Sequence, residues 1–236
     1  MKRIILLGLT TTPKSDWRAK VEEIKKFNIK EVALFLTFID QKRRKELYIL
    51  LEDSPLKSVP HVHIKDDMEE WEIDYLINKY GVKVFNTHID RDYERYLKMR
   101  NLKDKLYIEN CERVDEDFEK AVKKSAGICF DVAHFHDIGL KIGLYPHLPA
   151  LMEKYKVGCC HVSAIRDGVF YKWVNPLTKK EYQLCDYHYL EDLSELDYVV
   201  NYLKYLPKYV SIELENSFAE QLRAKEYLEK IINNIA

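Results

Sequence analysis

Glycine is scarce in this chain, with seven residues in 236. None of them falls in a phosphate-cradling loop of the P-loop or dinucleotide-binding type, so those two nucleotide-binding routes are excluded. No apolar run is long enough to span a membrane, which leaves no membrane partner to expect. Charge of one sign is also missing. The formal net charge is −1, so no global basic field announces nucleic acid and no acidic tail suggests disorder. Cysteine is present five times, at 111, 129, 159, 160 and 185. The number is odd and most of the five lie in strand-like segments, which points away from a disulfide framework and toward a reducing cytoplasm. The opening stretch Met1-Lys-Arg-Ile-Ile-Leu-Leu-Gly-Leu has too short an apolar run and no small-residue cleavage site, so it is expected to be a first strand rather than a signal peptide.

What is present is a chain 47% hydrophobic and 33% charged, the composition of a soluble globular protein. Strand-like and helix-like segments alternate eight times. The strands are read at Arg3–Leu9, Glu31–Thr37, Ser58–Ile64, Val82–Ile89, Lys105–Asn110, Ala126–Phe130, Val157–Val162 and Lys208–Glu215. The helices are read at Asp16–Phe27, Gln41–Leu51, Glu69–Tyr80, Asp92–Met99, Asp115–Lys124, near His147–Tyr155 after an irregular Gly/Pro-containing run, at Ser194–Tyr205, and from Ser217 to about Ile232. Asp40 is a plausible N-cap, Gly81 a C-terminal stop, and Ser217-Phe-Ala-Glu220 a capping box. Parallel strands joined by short right-handed crossovers, in this number and length, predict a single α/β domain over residues 1–236, a closed (β/α)₈ TIM barrel. No linker, low-complexity segment or break in composition suggests a second domain.

In such a barrel, chemistry sits at the C-terminal ends of the strands. The groups found there are His61 and His63 on the third strand, His88 on the fourth and Glu109 on the fifth. Asp131 and His134 follow on the sixth, His161 on the seventh, and Glu213 and Glu215 on the eighth. A side-chain period of two puts His61 with His63, and Glu213 with Glu215. His63 and Glu215 are preferred as the members nearer the strand ends, with His61 and Glu213 as alternates. The long seventh loop, Ser163–Tyr189, is rich in aromatic residues that suggest a packed interior and a small hairpin around Asn175-Pro176, and it adds Asp186-Tyr-His188. Each residue alone has a bland reading: Asp131 as a helix N-cap, a strand-end histidine as a hydrogen-bonded core residue, Asp186 as a loop cap. Together they would crowd carboxylates whose pKa values would rise without cations. Divalent metals with nitrogen and oxygen ligands resolve that conflict, and the donor set suits Zn²⁺, Mn²⁺ or Fe²⁺. His136 and His147 fall outside the pattern and are expected to pack rather than ligate.

These residues resemble the xylose isomerase-like barrel superfamily and, within it, the endonuclease IV branch (AP endonuclease family 2). The resemblance runs strand by strand from about residue 58. Its superfamily part is Glu109 in IEN, Asp131 and His134 in D-x-x-H, His161, and Glu215 in LEN. The part closer to endonuclease IV is His63, His88 and the D-x-H of Asp186 and His188. The resemblance implies up to three zinc ions. His63, His88 and Glu109 would hold one; Glu109 would bridge to a second held by Asp131, His161 and Glu215; His134, Asp186 and His188 would hold the third. It implies a metal-dependent phosphoester hydrolase with Glu109 and Glu215 as catalytic carboxylates, or alternatively a single-metal sugar or sugar-phosphate isomerase or epimerase.

Two departures bear on the substrate. The excursion after the second strand, Phe38–Lys45, is short, and the third loop, Lys65-Asp66-Asp67-Met-Glu69-Glu70, is acidic and would repel phosphates. A small phosphorylated or sugar substrate is therefore expected over duplex DNA. The mouth cations Lys65, Arg91, Arg166, Lys172, Lys179 and Lys180 are interleaved with acids, and Arg166 and Lys172 are the expected substrate-binding pair.

Overall fold

The computed structural model describes residues 2–89, 93–111, 113–175 and 178–233. Eight parallel strands close into one barrel, each hydrogen-bonded to the next and the eighth to the first. They are β1 (Ile4–Thr10), β2 (Glu31–Phe35), β3 (Ser58–His63), β4 (Val84–Thr87), β5 (Leu106–Glu109), β6 (Gly127–Asp131), β7 (Val157–Val162) and an eighth strand, Tyr209–Ile212. The expected (β/α)₈ barrel is the observed fold.

Alternation along each strand separates two apolar layers. Residues such as Leu7, Val32, Val62, Ile108 and Ile212 point outward and form the large core beneath the helices. Their neighbours point inward, where Val84, Tyr107, Cys129 and Cys159 make one interior cluster and Leu6, Ala33 and Phe35 another. The same parity carries polar residues inward one level higher, toward the C-terminal ends. At the closing seam, Gly8 lacks a side chain because a Cβ there would lie 1.9 Å from the Ile212 carbonyl oxygen. The buried Gln221 amide completes the seam, accepting from Gly8 N at 2.8 Å and donating to Gly8 O at 3.0 Å.

Helices begin where the sequence supplies caps. Asp16 and Asp40 accept from the amides of Ala19 and Arg43 at the starts of α1 (Trp17–Lys26) and α2 (Gln41–Glu52). Ser217 and Glu220 form the expected capping box for the helix Phe218–Asn233. Two segments differ from expectation. After Asp131 the chain makes one α turn (Val132–His134) and continues as a π-helix, Phe135–Lys141, where an irregular run was expected. The segment Leu193–Tyr205 winds as a 3₁₀ helix. The seventh loop is a two-step antiparallel ribbon. Ala164–Ile165 pairs with Asp186–Tyr187, and beyond it Tyr171–Val174 pairs with Glu181–Leu184. That hairpin turns around Asn175; the expected Asn175-Pro176 turn lies partly outside the described residues, as do Arg91 and Asp92.

Candidate metal centre at the barrel mouth

The C-terminal mouth opens into a cavity of about 380 Å³, lined by residues that include His63, His88, Glu109, His134, His188 and Glu213. Most of the mouth residues arrive at or just beyond strand ends, whereas His134 comes from the turn after β6 and His188 from the seventh loop. His63 and Glu109 end β3 and β5, Asp131 ends β6, His161 lies one residue from the end of β7, and Glu213 follows the last residue of the eighth strand.

Two groups of donor atoms share one carboxylate. His63 Nε2 lies 3.1 Å from Glu109 Oε2, His88 Nε2 lies 3.5 Å from Glu109 Oε1, and the two imidazole nitrogens are 3.2 Å apart. Beside them, His161 Nδ1 lies 3.6 Å from Glu109 Oε2, 3.7 Å from Asp131 Oδ2 and 3.1 Å from Glu213 Oε2. Two donors bound tetrahedrally at about 2.1 Å from a zinc-sized ion would be about 3.4 Å apart, which is the spacing seen in both groups. Asn86 Nδ2 fixes the shared carboxylate by donating to Glu109 Oε2 at 2.5 Å.

The test of fit to a divalent cation is His161 Nδ1. It is fully buried, faces three carboxylates, and is directed so that it makes no hydrogen bond to any of them. A buried nitrogen left this way costs about 1–3 kcal/mol, a loss that coordination to a cation would remove. His134 Nδ1 is buried and unpartnered in the same way, 3.6 Å from Asp131 Oδ2. The residues present therefore fit a metal with nitrogen and oxygen ligands.

Despite burial, Glu109 and Glu213 are held low rather than raised as expected, because the imidazoles beside them supply positive charge. Burial opposes the charge on Glu109, but the imidazoles of His161 and His88 and the hydrogen bond from His63 hold its carboxyl well below the usual range. Burial likewise opposes protonation of His161, yet Glu109 and Glu213 raise it well above an ordinary histidine. Against burial, His161 and His188 pull Glu213 down to about 2. His88 and His134 are raised against burial, by Cys111 and Glu109 for the first and by Asp131 and Cys111 for the second. The nest of carboxylates thus demands positive charge, which protons supply when no cation does.

Asp131 satisfies both of its sequence readings, one with each oxygen. Its Oδ1 caps the following turn by accepting from His134 N at 2.7 Å, while its Oδ2 faces His161 and His134. The seventh loop brings Asp186 Oδ2 to 3.4 Å from His134 Nε2, and Tyr171 Oη donates to Asp186 Oδ1 at 2.7 Å. His188 lines the cavity, but among the described residues it joins none of the groups whose donor atoms lie within 4.8 Å of one another.

The alternates divide differently. Glu213, not Glu215, faces His161. The strand ends at Ile212 and the chain turns, so Glu215 sits at the rim, accepting from Thr12 Oγ1 at 2.6 Å while its amide donates to His188 O at 2.6 Å. His61 lies deeper than His63, between Ser211 Oγ at 2.7 Å and Asn86 Oδ1 at 2.9 Å. Arg166 and Lys172 do not line the cavity. Arg166 is taken up by Glu191, Glu195 and the Tyr189 carbonyl, and Lys172 pairs with Glu181 across the hairpin. Among the described residues, the Lys or Arg that does line it is Lys14. His136 packs on Tyr198 and Tyr202, and His147 is exposed.

Sequence reading missed four residues. Asn86 and Cys111 belong to the mouth, and Lys14 stands on its rim. The fourth, Asp137, accepts from Cys185 N at 2.5 Å and Asp186 N at 3.2 Å, which anchors the seventh loop. Strand parity with His88 was a signal for Asn86; nothing in the sequence signalled the Asp137 contact.

No family model matches the chain, and no curated protein matches it. Among solved structures it is similar to a xylose isomerase-like TIM barrel protein from Mycobacterium smegmatis, determined in complex with magnesium. That likeness has 11% identity and a TM-score of 0.49, over 98% of this chain and 96% of that one. A second similar structure is an uncharacterized B. cereus protein, at 16% identity and a TM-score of 0.48. The match covers 99% of this chain and 65% of that one, so this chain spans about two thirds of its length.

Proposed function

We propose that this chain is a divalent-metal-dependent enzyme whose mouth takes a small phosphorylated or sugar substrate, and that its reaction is phosphoester hydrolysis at a multinuclear centre. The observation that carries the reading is the buried, unpartnered His161 Nδ1 facing three carboxylates. His63, His88 and Glu109 would hold one ion, and Glu109, Asp131, His161 and Glu213 a second. His134 and Asp186 offer donors for a third. The donors suit Zn²⁺, with Mn²⁺ and Fe²⁺ as the alternatives. When bound, such ions polarise a phosphoryl oxygen and lower the pKa of water.

The chain's own groups supply the rest. Glu109 keeps the two donor groups in register, with Asn86 fixing its carboxylate. Glu213 stays ionised at neutral pH and is available to orient or accept a proton at the cavity wall. Lys14 at the rim offers a cation to an anionic substrate, and Phe38, 59% exposed on the same wall, offers an apolar face. A cavity of about 380 Å³ is of small-molecule size. Arg166 and Lys172, already paired with acids, are not free to grip a duplex backbone.

The second reading is a single-metal sugar or sugar-phosphate isomerase. It is favoured by one point, that Asp131, His161, Glu213 and Glu109 form a four-residue set around one nitrogen without help from β3 or β4. Assays of metal-loaded protein on small phosphodiesters, abasic-site DNA and ketoses separate the readings. Turnover of phosphodiesters that falls in His63→Ala and His88→Ala supports the hydrolase. Ketose turnover that survives both changes replaces it with the isomerase.

A further inference from the structure

The opposite end of the barrel carries a feature that the mouth chemistry does not use. A Lys or Arg stands immediately before seven of the eight barrel strands, the exception being β6, where Ala126 precedes Gly127. Because the strands are parallel, the fold gathers these cations on the N-terminal face, in a chain whose net charge is only −1.

Four of them converge on a cavity of about 740 Å³. Arg3, Lys83, Lys156 and Lys208 line it together with Tyr107 and Tyr209, and Asp104 is its sole acid among the described lining residues. None of the four cations forms an ion pair with a described residue. The Arg3 guanidinium donates to the backbone carbonyls of Leu203 at 2.6 Å and Leu206 at 3.4 Å, which are neutral partners. Lys156 Nζ lies 5.5 Å from the centre of the Tyr107 ring, and Lys208 Nζ 5.2 Å from that of Tyr209. The floor is built, because Tyr107 is buried and its ring occupies the space beside Gly158, where a Cβ would lie 2.1 Å from it.

We propose that this cavity is a second, non-catalytic binding site for a small polyanion carrying two or more phosphoryl groups. Unneutralised cations around one concavity repel each other, and the concave wall focuses their field on whatever enters. Lysine suits phosphate as a point charge, and the tyrosine rings offer an apolar wall to an attached organic group. The size falls within the range of about 300–1,000 Å³ typical of small-ligand sites, whereas a duplex would need an extended surface. The site lies at the end of the barrel away from the mouth, so it is independent of the metal centre.

The test is titration calorimetry of the whole protein with inorganic pyrophosphate at low ionic strength. The wild type is expected to bind one pyrophosphate per chain at this site. The double variant K156E/K208E, and K156Q/K208Q in parallel, should weaken binding by about tenfold or more. K30E/K57E removes two cations at the same end of the barrel that do not line the cavity, and should change binding little. Circular dichroism establishes that each variant is folded. Absence of binding to the wild type overturns the proposal. Undiminished binding to both Lys156/Lys208 variants places the anion elsewhere and overturns it too. Equal weakening in K30E/K57E would mean a diffuse charged face, and tighter, competing binding of a short DNA duplex would mean a nucleic-acid surface; either result replaces the pocket.

Discussion

Glu109 is the residue on which both donor groups depend, and Glu109→Gln is the substitution that isolates its charge. Gln keeps the volume and an oxygen for Asn86, but it cannot offset two cations. Metal content should fall and turnover should drop by about a hundredfold or more, with the circular dichroism spectrum unchanged. Undiminished metal content would remove the bridging role. A second residue makes a prediction about pH. Burial lowers the Lys20 pKa from 10.5 to about 7, with partial opposition from Glu215, although its ammonium meets Thr10 Oγ1 at 2.9 Å and the Leu214 carbonyl at 2.8 Å. Below about 7 both states carry the proton and the burial penalty is felt in full; between about 7 and 10.5 only the unfolded chain holds it. Stability from this group therefore rises with pH across that window, and Lys20→Met should flatten the rise in urea unfolding measured at its two ends. At this scale the sequence was partly legible. Strand-end position put His63, His88, Glu109, Asp131 and His161 at one mouth, because parity and strand direction suffice for that. The choice between Glu213 and Glu215 turns on where the last strand stops, and hydrophobic patterning does not locate that end to two residues.

At the scale of elements, the site depends on a loop held from beneath. Asp137, in the π-helix after β6, accepts two amides of the seventh loop beside Asp186. Asp137→Ala would orphan both amides and should cost about 1–3 kcal/mol locally. The expected outcome is faster proteolysis within Ser163–Tyr189 and poorer retention of any ion held through Asp186, with the His63–His88–Glu109 group unaffected. Equal proteolysis of the two proteins would show that the ribbon pairing alone holds the loop. The sequence located this loop by its length and its aromatic residues, and the ribbon realises the expected hairpin. Its anchor was not legible, since Asp137 and Cys185 are brought together only by the closed barrel. Nor does apolar spacing distinguish a π-helix or a 3₁₀ helix from irregular or α-helical chain, and both of those segments were missed for that reason.

For the whole molecule, parallel closure sorts the chain's charges by strand end. Acids and imidazoles gather at the C-terminal mouth, and lysines at the N-terminal face. The alternation of eight apolar strands with capped helices made this architecture readable, because each unit states its own period and its own stop. What periodicity does not carry is substrate, which depends on the shape of the mouth. The central claim is that the mouth holds divalent metal. Its most direct test is the metal content per chain of protein purified without chelator, with proton release followed as metal is added to stripped protein. His88, His134 and His161 are held protonated above their ordinary range without metal. Metal should therefore displace protons, and apparent affinity should strengthen as pH rises. The account predicts two or more ions per chain, lost in Glu109→Gln, with protons released on reloading. A wild-type chain that retains no metal and binds none on addition would contradict it.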